Sequence, residues 1–227
     1  MNNIIAVIIA ALIGYLCGSF PPGWLYVRVF KGVDLRTVGS GRTGGTNSMR
    51  AGGWKIGVLT GVSDVLKGAA GVWLTRLAVG ALGAPLADSG LPWLEIVAGT
   101  FAVVGHNWSL FLGFKGGAGT GPNVGWAAAI WWPMFPIALV AMPGIMVLTG
   151  MASVASMLMG LIIAVMFAII YALGGVMGVE PSIAYTIGGL ATFLVVVWAL
   201  RPNIKRIFNG TERLVGPRAK RKSARNP

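Results

Sequence analysis

The residues of this chain best suited to chemistry lie in two glycine-rich stretches. One reads Gly105-His106-Asn107-Trp108-Ser109 and runs into Phe114-Lys115-Gly116-Gly117-Ala118-Gly119-Thr120-Gly121, which places the only histidine, a lysine and a glycine-rich turn at the end of an apolar segment. The other, Val38 to Arg50, packs four glycines, four hydroxyls, Asn47 and the guanidinium groups of Arg42 and Arg50 into thirteen residues. Glycine lets backbone N–H groups crowd round an anion, lysine adds a full charge, and arginine offers a planar fork to phosphate oxygens. Both stretches therefore suggest a phosphate pocket. The first loop is not a Walker loop, because no Gly-Lys-Ser/Thr closes it. A flexible surface loop has a similar composition.

Three further groups carry polar chemistry. Asp64 and Lys67 are three apart inside an apolar run, so on a helix they share a face. They read equally as an ion pair that fixes packing or as part of a site. Ser153 and Ser156 open a later apolar run on one helical face, a common device of helix packing in lipid. After the last apolar run come Arg201-Pro202-Asn203-Ile204-Lys205-Arg206 and then Gly210-Thr211-Glu212. Basic residues there suit a membrane anchor. Asn203 and Glu212 fit that role less well, and Glu212 is available to pair with a loop arginine. A single His, a single Cys and scattered carboxylates show no metal-ligand spacing.

The elements that must position these groups are set by composition. Of the 227 residues 56% are hydrophobic and 11% charged, and the mean hydropathy is +0.77. An all-α, polytopic integral membrane bundle follows, because about 20 apolar residues are needed per helical crossing. Apolar runs predict seven helices, at about 4–28, 54–81, 93–112, 119–131, 133–149, 152–177 and 181–200. The fourth is short, a half-helix opening on the glycine-rich turn and ended by Trp131-Trp132-Pro133. One membrane domain over 1–212 and a basic tail over 213–227 are expected. Trp93, Trp108, Trp131, Trp132 and Trp198 fit an interfacial aromatic belt. One cysteine, Cys17, excludes an internal disulfide.

The formal charge of +12 comes from 18 Lys+Arg against 6 Asp+Glu. The cations sit between and after apolar runs, a pattern of membrane topology and anionic-lipid contact rather than of nucleic-acid binding. Lys31, Arg36, Arg42 and Arg50 lie in the first loop, Lys115 in the third, and Arg201 onward in the tail. The loop near 82–92 holds Asp88 and no cation, and the turn near 178–181 only Glu180. Seven spans thus put the N-terminus outside and the C-terminus in the cytoplasm. The first loop, the third loop and the tail then share the inner face of the membrane, with the site.

Taken in order, these segments resemble the bacterial acyl-phosphate:glycerol-3-phosphate acyltransferases, the PlsY family. The similarity covers Gly18-Ser19-Phe20-Pro21, Gly39 to Arg50, Asp64-Val65-Leu66-Lys67-Gly68, Gly105 to Gly119, Ser153-Val154-Ala155-Ser156 and Asn203 to Glu212. It implies an enzyme of phospholipid synthesis in a bacterial inner membrane. Such an enzyme moves a fatty acyl group from acyl phosphate to the 1-hydroxyl of glycerol 3-phosphate, giving lysophosphatidic acid and phosphate, without metal or other cofactor. By position Ser40 and Arg50 match the essential serine and arginine of the family's first motif, Lys115 with the glycines around it the glycerol-phosphate-binding motif, and Ser153 and Asn203 further substrate contacts. With these, the candidate catalytic residues are Ser40, Arg50, His106 and Asn107, the candidate substrate-binding residues are Gly39, Gly41, Gly44, Thr46, Asn47, Lys115, Gly116, Gly117, Gly119, Ser153, Asn203 and Lys205, and Asp64, Lys67 and Glu212 are expected to support them. The chain departs from the family in having Arg42 for Asn, Ala118 for Lys and Leu200 for His, and Arg42 is placed to replace a lost positive charge. A Ser-His hydrolase fits less well, because Ser40 is not in Gly-x-Ser-x-Gly. A small phosphate or organic-anion transporter is the non-enzymatic alternative, although such transporters usually show paired halves and this chain shows none.

Overall fold

A computed structural model describes residues 3–82, 90–216 and 218–219. Asp88 and most of the basic tail lie outside the described residues. All regular structure described is helical: α1 (Asn3–Ser19), α2 (Pro22–Lys31), α3 (Gly45–Gly52), α4 (Trp54–Ala81), α5 (Leu91–Asn107), α6 (Thr120–Ile130), α7 (Met134–Thr149), α8 (Ala152–Ala172), α9 (Ile183–Ala199) and α10 (Arg201–Phe208).

Each predicted span has a helical counterpart, and the differences have local causes. The first is interrupted after Ser19, where Pro21 and Pro22 offer no N–H. The carbonyls freed there are recaptured from elsewhere: Ser109 Oγ donates to Ser19 O at 2.6 Å and Lys67 Nζ to Phe20 O at 2.7 Å. The third span ends at Asn107, before the Leu110–Leu112 3₁₀ turn. The sixth ends at Ala172, before a Gly-rich reversal in which Gly174, Gly175 and Gly178 have positive φ. Two short polar helices, α3 and α10, carry no apolar period long enough to be seen as spans.

Among the described residues, only Asn3–Lys31 and Ala152–Ala172 are long and apolar enough to cross a bilayer, with α9 and α10, bent by 63°, as a third candidate. The reasons are specific. Helix α6 has 11 residues, and α4, though 28 long, carries Asp64, Lys67 and Arg76. The bundle's outer surface is nonetheless apolar: Leu77, Val140, Leu148 and Leu194 are each more than 60% exposed.

Packing relies on small residues, since lipid gives helices no hydrophobic reason to associate. Gly14 and Gly18 on α1 rest directly on the backbone of Ala98 and Ala102 on α5, with no room for a Cβ. The main core lies between α5, α6, α8 and α9, where Trp126 stacks on Phe167 with centroids 5.4 Å apart and Phe167 meets Tyr185. Trp131, expected at the interface, is instead buried in this core at 7% exposure, because it ends α6 against α7 and α8. Trp93, Trp132 and Trp198 remain exposed.

Candidate active site

The first loop is folded on itself by Asn47. Its Nδ2 donates to the carbonyls of Leu35, Val38 and Arg42, and its Oδ1 accepts from the Ser40 amide at 3.1 Å. Gly39 (φ +54°) and Gly41 (φ +71°) flank Ser40 in the left-handed region, and a side chain at Gly39 would strike Asn47 Oδ1. Asn47 is thus committed to holding Ser40, and the amides of Ser40 and Gly41 are already bonded within the loop. Gly44 is the N-cap of α3, which carries Thr46 in its first turn and Arg50 in its last.

The turn at 115–119 is pressed against the end of α5. The Gly116 amide donates to Asn107 O at 3.1 Å and the Gly117 amide to His106 O at 2.9 Å. Side chains at Gly116 and Gly117 would run into the His106 carbonyl and the His106 ring. These glycines serve close approach, and their amides are spent on α5 rather than left for an anion. Behind them stands a buried polar line: His106 Nδ1 is 3.4 Å from Asp64 Oδ1, which pairs with Lys67 Nζ at 3.0 Å. Lys67 in turn holds Phe20 O, so this line links the turn to the break between α1 and α2. Asn107 is 5% exposed, and neither of its side-chain amide atoms has a partner among the described residues. Lys115 is exposed.

Arg42 joins the two loops to the end of the chain. Its Nη1 donates to Gly117 O at 2.7 Å, and its Nη2 to Ala199 O at 2.6 Å and Asn203 Oδ1 at 3.1 Å. Asn203 Nδ2 continues to Glu212 Oε1 at 2.7 Å, which also accepts from Ser153 Oγ at 2.9 Å. Arg206 Nε pairs with Glu212 Oε2 at 2.9 Å. Burial pushes the Glu212 carboxyl up, but bonds from Asn203, Ser153 and Arg206, with the Arg206 charge, outweigh it and hold the group below the usual range. Arg50 Nη2 reaches Leu214 O at 3.4 Å, and the Val215 amide donates to Gly150 O at 2.8 Å. The first loop, the third loop and the segment after α9 therefore meet at one end of the bundle.

Lys205 does not enter this cluster. It is exposed and two residues from Asn203, on another side of α10, whereas Arg206, three residues on, shares the Asn203 face. Spacing alone would have singled out Arg206. A groove of about 550 Å³ lies alongside, lined by Trp108, Leu194, Val195, Val197, Trp198 and Arg201. The Arg201 guanidinium stacks 3.4 Å above the Trp198 ring.

A sequence profile described as glycerol-3-phosphate acyltransferase matches residues 8–210. The chain belongs to the glycerol-3-phosphate acyltransferase family. Among curated family members it is 34% identical over 220 residues to a glycerol-3-phosphate acyltransferase of Parasynechococcus marenigrum (strain WH8102), covering 95% of each chain. It is 37% identical to one of Synechococcus sp. (strain JA-3-3Ab), covering 98% of each. Two crystal structures of PlsY (YgiH), an integral membrane glycerol 3-phosphate acyltransferase, share its fold. The glycerol 3-phosphate form aligns at TM-score 0.74 and 28% identity over 92% of this chain and 96% of that one. The lysophosphatidic acid form aligns at 0.73 and 27% over 92% and 95%. This member of the acyltransferase family is thus an integral membrane enzyme. Arg42 bonds Gly117, the neighbour of Ala118, and Ala199, the neighbour of Leu200, so these three positions lie together.

Proposed function

We propose that the chain transfers a fatty acyl group from acyl phosphate to the 1-hydroxyl of glycerol 3-phosphate, at the cytoplasmic end of a seven-span bundle whose N-terminus lies outside. The observation that carries this reading is the meeting of Arg42, Arg206, Ser153, Asn203 and Glu212, from three distant parts of the chain, beside an apolar groove. Such a place suits a substrate with a phosphate head and a fatty tail. The family supplies the acceptor, because related proteins are named for glycerol 3-phosphate.

An acyl phosphate is a mixed anhydride and already activated. The glycerol hydroxyl oxygen forms the new ester bond to the acyl carbon, and the carbon–oxygen bond to phosphate breaks. Inorganic phosphate leaves, and a phosphate oxygen takes the hydroxyl proton. The protein's tasks are then positioning and charge stabilisation. Arg50 and Lys115 hold phosphate oxygens, and Ser40, set by Asn47, orients the acyl phosphate or its developing oxyanion. Asn107, with an unpartnered amide, contacts a substrate oxygen. His106, buried behind Gly117, acts by holding the turn. The groove beside Trp108 and Trp198 takes the acyl chain.

The test is purified full-length protein in detergent with palmitoyl phosphate and glycerol 3-phosphate, with products read by mass. Lysophosphatidic acid and phosphate, formed only when both substrates are present, are expected. Product from acyl-CoA or acyl carrier protein alone would reject the donor. Substrate flux into proteoliposomes without chemistry would reject the reaction.

A further inference from the structure

We propose that Arg42 is a phosphate-positioning residue: its guanidinium clasps three chain segments and presents an uncompensated positive charge to the phosphate group of a bound substrate. This rests on the acyltransferase reading above. The clasp is direct, since one planar group reaches Gly117 O, Ala199 O and Asn203 Oδ1 at 2.7, 2.6 and 3.1 Å. All three acceptors are neutral. They fix the fork's orientation without cancelling its charge.

No carboxylate among the described residues lies within ion-pair distance of Arg42. The acid that influences it, Glu212, is already paired with Arg206 at 2.9 Å. Arg206 itself adds positive potential at Arg42. The cluster Arg42–Asn203–Glu212–Arg206 therefore carries two guanidinium groups against one carboxylate. Arg42 is also partly desolvated, and burial pushes its proton affinity down while leaving it charged. A neutral donor such as Gln would serve a purely structural clasp without the cost of withdrawing a charge from water. A cation held without a counter-ion, next to the turn that carries Lys115 and on the loop that carries Ser40, is instead suited to a ligand that brings two negative charges. Both substrates of the proposed reaction carry such a phosphate.

The experiment compares wild type, Arg42→Lys and Arg42→Gln as full-length proteins in detergent. It measures kcat and KM for each substrate and the thermal stabilisation produced by inorganic phosphate. For Arg42→Gln we expect a KM at least about tenfold higher for the substrate whose phosphate Arg42 faces, and loss of phosphate stabilisation. Which of the two KM values rises identifies that phosphate. Arg42→Lys keeps the charge and loses the fork, so it retains phosphate stabilisation and an intermediate KM. A folded Arg42→Gln with wild-type KM for both substrates overturns the proposal, as does a fall in kcat and melting temperature with neither KM moved. If Arg42→Gln does not fold, Arg42→Lys decides, and loss of its phosphate stabilisation is the overturning result. A wild type that transfers no acyl group defeats the acyltransferase reading alone, because phosphate stabilisation that disappears in Arg42→Gln would still support Arg42 as an anion-positioning residue.

Discussion

Replacing Gly117 with alanine probes the junction of the two loops with a single methyl group. The ideal Cβ would lie 2.8 and 2.9 Å from His106 Cδ2 and Cε1, closer still to Nε2, where ordinary contact begins near 3.4 Å. The approach to Nε2 is the tightest, so ring and turn must separate by more than about 1 Å. The ring has little freedom, because it is 3% exposed and lies against Asp64, which is fixed by Lys67. Overpacking of this size costs about 1–3 kcal/mol. If the turn moves instead, it strains the Arg42 bond to Gly117 O, and a hydrogen bond to a charged group contributes about 1.5–3 kcal/mol. The two penalties share one movement and do not add fully. A loss of about 2–4 kcal/mol is therefore expected. It should appear as a melting temperature several degrees lower in detergent. The displaced turn carries Lys115, so KM for glycerol 3-phosphate should rise about tenfold or more, with kcat falling less. Gly117→Ala with unchanged melting temperature and unchanged KM would refute the close packing of turn and histidine.

Lys115→Ala should raise KM for glycerol 3-phosphate by about tenfold without lowering the melting temperature, since its exposed side chain supports no packing; a wild-type KM in kinetic assays would remove Lys115 from the site. Glu212 is depressed in the folded protein. Its contribution is therefore complete above the unfolded value near 4.5 and is lost as pH falls through the lower folded one. Melting curves recorded below that pH should decline in wild type, and Glu212→Gln should lack this component. Tyr185→Phe removes the donor to Glu95 Oε2 at 2.7 Å and leaves Arg76 as the other partner at 2.6 Å. A loss of about 1.5–3 kcal/mol is expected in denaturation. KM and kcat should not change, because Tyr185 lies about 20 Å along α9 from Ala199.

Much of the fold was legible in the chain because bilayer burial imposes long apolar runs, and seven such runs have helical counterparts. Their ends were less legible. Pro21-Pro22 broke the first run and Gly174-Gly175 shortened the sixth, and Phe20 O could be left free only because Lys67 reaches it from another helix. Polar helices α3 and α10 offered no apolar period to detect.

Sequence alone determined which residue types were present for phosphate chemistry, and that they stood at the ends of apolar runs. It also placed Asp64 and Lys67 on one helical face, because three-residue spacing is a local property of a helix. Tertiary structure decided how the glycines and polar groups are used. Gly116 and Gly117 serve contact with His106, Asn47 holds the Ser40 loop, and Arg206 takes the place beside Asn203 that Lys205 was expected to share. It alone brought Arg42 to Gly117, Ala199 and Asn203, residues separated by up to 161 positions. Helical pattern acts over a few residues, whereas a side chain's partners across such separations depend on how closely the helices pack, and here glycine sets that distance.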